Sequence, residues 1–148
     1  MKIVFFTLVL DGMPWIACHL PTFNRLSVDW EWRIAEGVAK PKACTAWCRD
    51  LEPRLSNDGT TEYLRSIAAH PMVKVQSRPF WNGKIEMVRA LTDGIDPGTL
   101  VVQVDSDELW TDASIMGLWL RMQHQQEDTE ARFFCRYFVG PQLIVGSV

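Results

Sequence analysis

Short runs of apolar, largely β-branched or aromatic residues recur along the chain at 3–10 (IVFFTLVL), 72–75 (MVKV), 100–104 (LVVQV) and 132–139 (RFFCRYFV), with helix-period segments between them. Few folds accept that alternation. Parallel strands need a crossover between them, usually a helix, so alternating runs of this kind predict an α/β fold: a mostly parallel sheet with flanking helices. In such sheets ligands bind beyond the carboxyl ends of the strands, so functional residues are expected where each strand runs out.

The helical segments are read from their spacing. Residues 60–69 place Leu64, Ile67 and Ala68 on one face, with Ser56-Asn57-Asp58-Gly59 as turn and capping residues before them and Pro71 after. A second helix over about 83–92 carries Ile85, Val88 and Leu91 at three-residue steps and closes through Asp93-Gly94. A third over about 112–124 turns Ile115, Leu118, Trp119 and Met122 inward. Residues 40–53 show no period and read as a long loop holding at most one short helix. The 148 residues suffice for a single domain spanning 1–148.

Composition removes several classes. A net charge of -3 does not suit a protein that must neutralise nucleic-acid phosphates. The first apolar run stops at Asp11-Gly12 with no small-residue cleavage site and falls far short of the roughly 20 residues that span a bilayer. No transmembrane segment is expected, and the cytoplasm is the expected compartment. Of the four cysteines only Cys44 and Cys48 are close, and no second pair completes a zinc site, so reduced thiols are expected. The seven tryptophans are dispersed, as for packing and sugar-compatible surfaces rather than a membrane belt.

The sharpest chemical signal is Leu100-Val101-Val102-Gln103-Val104-Asp105-Ser106-Asp107-Glu108, an apolar strand ending in three acids within four positions. Carboxylates massed there repel one another unless a cation holds them. Mg²⁺ and Mn²⁺ prefer carboxylate oxygens and commonly take one or two of them together with substrate phosphate oxygens. The plain alternative is that these acids favour the N-terminus of the helix starting near Asp112. Pro79-Phe80-Trp81-Asn82 has two readings as well: a stacking surface for a base or sugar, or packing at a strand-to-helix corner. His19, His70 and His124 form no ligand pair at helical spacing and are assigned surface or packing roles.

The order of these elements resembles the family 2 type glycosyltransferases of GT-A fold over nearly the whole chain. The first strand, ending in Thr7-Leu8-Val9-Leu10-Asp11-Gly12, looks like the one that touches the nucleobase in that family. Trp32-Arg33-Ile34-Ala35-Glu36-Gly37 is similar to its second strand ending in an acid, and Ser56 to Leu64 to its turn and helix. Asn82-Gly83-Lys84 resembles the glycine and basic residue that open the next helix, and Asp105-Ser106-Asp107 the D-x-D motif.

The resemblance implies a Rossmann-like GT-A nucleotide-diphospho-sugar transferase fold and transfer of a sugar from a UDP- or GDP-sugar donor to a saccharide or other hydroxyl acceptor. It implies Mn²⁺ or Mg²⁺ at Asp105 and Asp107, with Asp107 a direct ligand and Asp105 on the ribose or the metal shell. Thr7, Leu8, Val9, Asp11 and Ser106 would line the nucleotide-sugar site, Lys84 would lie near the nucleotide, and Glu36 would face the base.

Two departures from the family pattern matter. An insertion separates Glu36 from Ser56-Asn57-Asp58-Gly59, so Glu36 and Asp58 compete for the base-side role. The family places its acceptor site and catalytic base well beyond the D-x-D, whereas this chain runs only to Val148, with Leu143-Ile144-Val145 resembling a strand left without neighbours. A C-terminally shortened form, or one part of a larger assembly, with most of the acceptor half missing is therefore expected, and no catalytic base is assigned. The alternative is a sugar-nucleotide binding module or subunit without turnover. A haloacid dehalogenase type D-x-D would follow the first strand, and an EF-hand counted from Asp105 would need Gly at Trp110 and Glu at Met116.

Overall fold

The structure, a computed structural model, describes residues 1–40, 51–124, 136–139 and 143–146, the last two segments as backbone only. Four parallel strands form the central sheet in the order β3-β2-β1-β4: β1 (Ile3–Val9), β2 (Trp30–Ala39), β3 (Val73–Trp81) and β4 (Leu100–Gln103). A 3-10 turn (Trp15–Cys18) and α1 (His19–Phe23) connect β1 to β2, α2 (Thr60–Ile67) connects β2 to β3, and α3 (Lys84–Thr92) returns the chain to β4. α4 (Asp112–His124) follows. The expected α/β architecture with a parallel, helix-flanked, Rossmann-like sheet is thus what the chain adopts.

Strand alternation sorts the core into two layers, as a sheet buried on both faces requires. Ile3, Phe5, Val9, Trp30, Trp32 and Ile34 pack on one face under Phe23 of α1, Leu64 and Ile67 of α2, and Ile115 and Leu118 of α4. Phe5 and Phe23 stack there with centroids 4.0 Å apart. Phe6, Ala35, Ala39 and Trp81 pack on the other face with Met87 and Leu91 of α3. Each of the larger side chains, Val, Leu, Ile, Phe or Met, contributes roughly 1.5–3 kcal/mol when fully buried.

Several expectations are corrected. The inward face of α3 is Met87 and Leu91, one turn apart, whereas Ile85 stands 66% exposed. α2 ends at Ile67, and Ala68 is an exposed cap. β2 does not stop at Glu36 but continues to Ala39 through a bulge between Glu36 and Val38. Gly37 makes that bulge possible, because its φ is 130° and a Cβ would meet the Arg78 carbonyl oxygen at 1.8 Å. The segment Leu143-Ile144-Val145 is not without a neighbour: β6 (Leu143–Gly146) pairs antiparallel with β5 (Arg136–Val139). Cys44, Cys48 and most of the expected long loop lie outside the described residues.

The amino-terminal edge of the sheet is closed by charge. Glu31, 7% exposed, receives Lys2 Nζ at 2.7 Å, Arg33 Nε at 2.6 Å and Lys74 Nζ at 2.8 Å. Burial works to raise its carboxyl, but the hydrogen bonds from Lys2, Lys74 and Arg33 outweigh it and bring it to about 2. Arg33 also donates to the Leu91 and Asp93 carbonyls, tying down the end of α3. No helix among the described residues is long and apolar enough to cross a membrane.

Candidate functional site

The sheet's strand order defines where a site belongs. From β1 the chain steps outward to β2 and β3, and α3 then carries it back to β4 on the opposite side of β1. The direction of winding reverses between β1 and β4. Crevices outside the carboxyl ends of strands at such a reversal are the ligand sites of open parallel sheets. Leu10-Asp11-Gly12 leaves β1 and Asp105-Ser106-Asp107 leaves β4 at that place.

The two segments touch. A Cβ built on Gly12 would stand 2.6 Å from Val9 Cγ2 and 3.1 Å from Ser106 Cβ, so a side chain here would crowd both β1 and the acid turn. The turn closes on itself through the Glu108 amide donating to the Asp105 carbonyl at 3.0 Å and the Asp105 amide donating to Glu108 Oε2 at 3.1 Å. Gln103 Nε2 donates to Asp105 Oδ1 at 3.1 Å. Both Asp105 and Asp107 are exposed.

Beneath the turn, two buried polar side chains hold its carbonyls. Thr7 Oγ1 donates to the Val104 carbonyl at 2.8 Å, and His19 Nε2 donates to the Ser106 carbonyl at 3.2 Å. Burial pushes the His19 imidazole below its ordinary value, only partly offset by the Ser106 and Asp105 backbone and the Asp107 charge. Its neutral form therefore prevails at pH 7. Sequence reasoning assigned His19 a surface or packing role, and no spacing signal links it to residues 105–107.

The β1 loop is clasped from the other direction by the turn before α2. Asp11 N donates to Ser56 Oγ at 3.0 Å, Gly12 N to Thr60 Oγ1 at 2.9 Å, and Met13 N to Asp58 Oδ2 at 2.8 Å and to Thr60 Oγ1 at 3.1 Å. Asp58 Oδ1 accepts the Thr60 amide. Asp11, at φ 57°, pairs with Arg54 and accepts the Asn57 amide, and Arg54 foremost holds its carboxyl below the usual range.

The two acids expected to compete for the base-side role sit in different surroundings. Asp58 is exposed, with both oxygens occupied by loop amides. Glu36 is fully buried; its Oε1 accepts the Ser56 amide at 3.2 Å and the Thr61 hydroxyl, and Oε2 has no hydrogen-bond partner among the described residues. Its carboxylate braces the Ser56–Thr61 turn from below.

The remaining expected residues scatter along the same edge. Thr7 and Val9 are buried with their side chains committed to the interior, and Leu8 packs partly against the α3 side. Lys84 opens α3 beyond β3. Among the described residues β3 and β4 are the two outer strands of the sheet, three strand spacings or about 14 Å apart, with Lys84 following β3 and Asp107 following β4. Trp81 is fully buried and donates Nε1 to the Glu36 carbonyl at 2.8 Å, which is packing, while Phe80 beside it is 42% exposed.

Among the described residues no three His, Cys, Asp or Glu side chains gather to hold a metal ion. The turn exposes two carboxylates, and Mg²⁺ or Mn²⁺ commonly takes only one or two carboxylates together with water and substrate phosphates rather than an all-protein cage. No family model, curated protein or solved structure matches the chain.

Proposed function

We propose that this chain binds a nucleoside-diphosphate sugar through a divalent cation at Asp105 and Asp107 and acts as a glycosyltransferase of GT-A type. The observation that carries the reading is the contact between Gly12 and Ser106: it brings a paired-carboxylate turn against the first-strand loop at the sheet's point of reversal. Two exposed aspartates at that position suit a diphosphate better than they suit helix capping alone, since α4 begins only at Asp112. When bound, Mn²⁺ or Mg²⁺ offsets the charge that grows on the departing diphosphate. Asp107 serves as the direct ligand and Asp105 as ligand or ribose contact. Lys84, at the N-terminus of α3, supplies a hydrogen-bond donor and positive charge for the nucleotide.

A second reading, binding without turnover, draws on Glu108. That carboxylate turns back onto the Asp105 amide, leaving no further acid of the turn directed to an acceptor hydroxyl. Incubation with radiolabelled UDP-hexoses and GDP-hexoses plus Mn²⁺ separates the two. Sugar transfer or donor hydrolysis that vanishes in Asp107→Ala supports an enzyme; metal-dependent binding without either product supports the module.

A further inference from the structure

The carbonyls on either side of Asp105 are each held by a buried side chain, and both side chains rest on one ring. Thr7 Oγ1 holds the Val104 carbonyl and His19 Nε2 holds the Ser106 carbonyl. Trp32 Nε1 donates to Thr7 Oγ1 at 3.0 Å, while the Trp32 ring lies edge-on to the His19 imidazole with centroids 5.7 Å apart. Phe23 stacks on the His19 imidazole itself, with centroids 5.9 Å apart and the planes at 10°. Thr7 and Trp32 are fully buried and His19 is 2% exposed.

We propose that Thr7, His19 and Trp32 are positioning residues for the acid turn, an inference that rests on the metal–diphosphate reading above. A carbonyl oxygen and the following amide nitrogen share one rigid plane. Holding the Val104 oxygen fixes the plane that enters Asp105, and holding the Ser106 oxygen fixes the plane that enters Asp107. Each aspartate is thus approached through an immobilised peptide. A hydroxyl and an imidazole set into an aromatic core are costly unless hydrogen-bonded, and here their partners are the two carbonyls of the turn. Small hard cations demand near-ideal ligand geometry, so a loose turn carrying the same two carboxylates binds them less well.

Paired substitutions test this. Thr7→Val removes the hydroxyl at similar volume and Thr7→Ser restores it; His19→Phe keeps a ring without a donor and His19→Gln supplies an amide donor. Calorimetry with Mn²⁺ plus UDP, and Mn²⁺ plus GDP, is combined with hydrogen exchange of the Glu108 amide, which closes the turn. Thr7→Val and His19→Phe are expected to weaken metal–nucleotide binding about tenfold or more and to speed Glu108 exchange by a similar factor, with Ser and Gln recovering most of both. Wild-type affinity and unchanged exchange in Thr7→Val and His19→Phe overturn the inference while leaving the reading intact. A wild type that binds neither nucleotide overturns the reading instead; the exchange arm then still decides whether these side chains hold the turn. The two positions are tested separately, so a variant that does not fold leaves the other to decide.

Discussion

Gly12 lies against Ser106 although the two are 94 positions apart in the chain (106 − 12), and the absence of a Cβ keeps Gly12 clear of Val9 Cγ2 as well as Ser106. Gly12→Ala would drive a methyl group to 2.6 Å from Val9 Cγ2 and 3.1 Å from Ser106 Cβ. Overpacking of this kind costs about 1–3 kcal/mol. Urea denaturation should show that loss, and Mn²⁺–UDP affinity should fall with it because the acid turn is displaced. An unchanged midpoint and affinity would mean that the loop moves aside freely.

The clasp on the β1 loop makes a second prediction. Thr60 Oγ1 is the acceptor for two successive amides, Gly12 and Met13, and it is fully buried. Thr60→Val leaves the Gly12 amide buried without its partner, at about 1–3 kcal/mol, whereas Thr60→Ser retains the acceptor and should lose less than about 1 kcal/mol. Chemical denaturation of the pair checks the difference, and equal losses would count against the hydrogen bonds as its origin.

Acid stability should depend on Glu31. Its carboxyl titrates near 2 in the folded chain against an ordinary value of 4.5, so the unfolded chain takes up the proton first as pH falls. The stabilisation is complete above about pH 4.5 and is lost by about pH 2. Lys2 and Lys74 are partly exposed, and screening reduces the contribution to on the order of 2 kcal/mol. Glu31→Gln should lower stability at pH 7 by that amount and flatten the decline between pH 4.5 and 2. A wild-type-like acid limb in the variant would contradict the assignment.

Glu36 should behave differently. With Oε2 buried and unpartnered among the described residues, burial of its carboxyl group is a cost that the Ser56 and Thr61 bonds offset. Glu36→Gln keeps an acceptor for those bonds and should stay within about 1 kcal/mol of the wild type, while Glu36→Ala loses them and about 1–3 kcal/mol. Thermal unfolding of both variants reads the contrast.

β1, β4 and the longer helices were legible because apolar runs and the 3.6 period act locally, as in the largely apolar run of β1 or the spacing of Ile115 and Leu118, whereas β2 (Trp30–Ala39) was reached only through the family resemblance and β3 continues to Trp81, past the run at 72–75. The short turn and helix over 15–23 were not legible, since Pro14, Pro21 and a five-residue α1 leave too little periodicity to read. Acids at the end of β4 announced themselves through charge density at a strand end. The support beneath them did not, nor did the clasp on the β1 loop: Thr7, His19 and Trp32 in the first and Thr60 in the second come from separate segments, and a buried hydroxyl or imidazole carries no sequence mark of the carbonyl or amide it will meet. Glu36 likewise looked like a strand-end acid, yet the bulge at Gly37 continues β2 beyond it and leaves it buried.

The central claim is that Asp105 and Asp107 hold a divalent ion on which a nucleoside diphosphate sits. Titration of UDP and of GDP into the protein with Mn²⁺, with EDTA, and with Asp107→Ala tests it most directly. Binding in Mn²⁺ that falls at least tenfold both with EDTA and in Asp107→Ala is the predicted result. Binding that is indifferent to chelator and to Asp107→Ala, or no binding of either nucleotide with Mn²⁺, would contradict it.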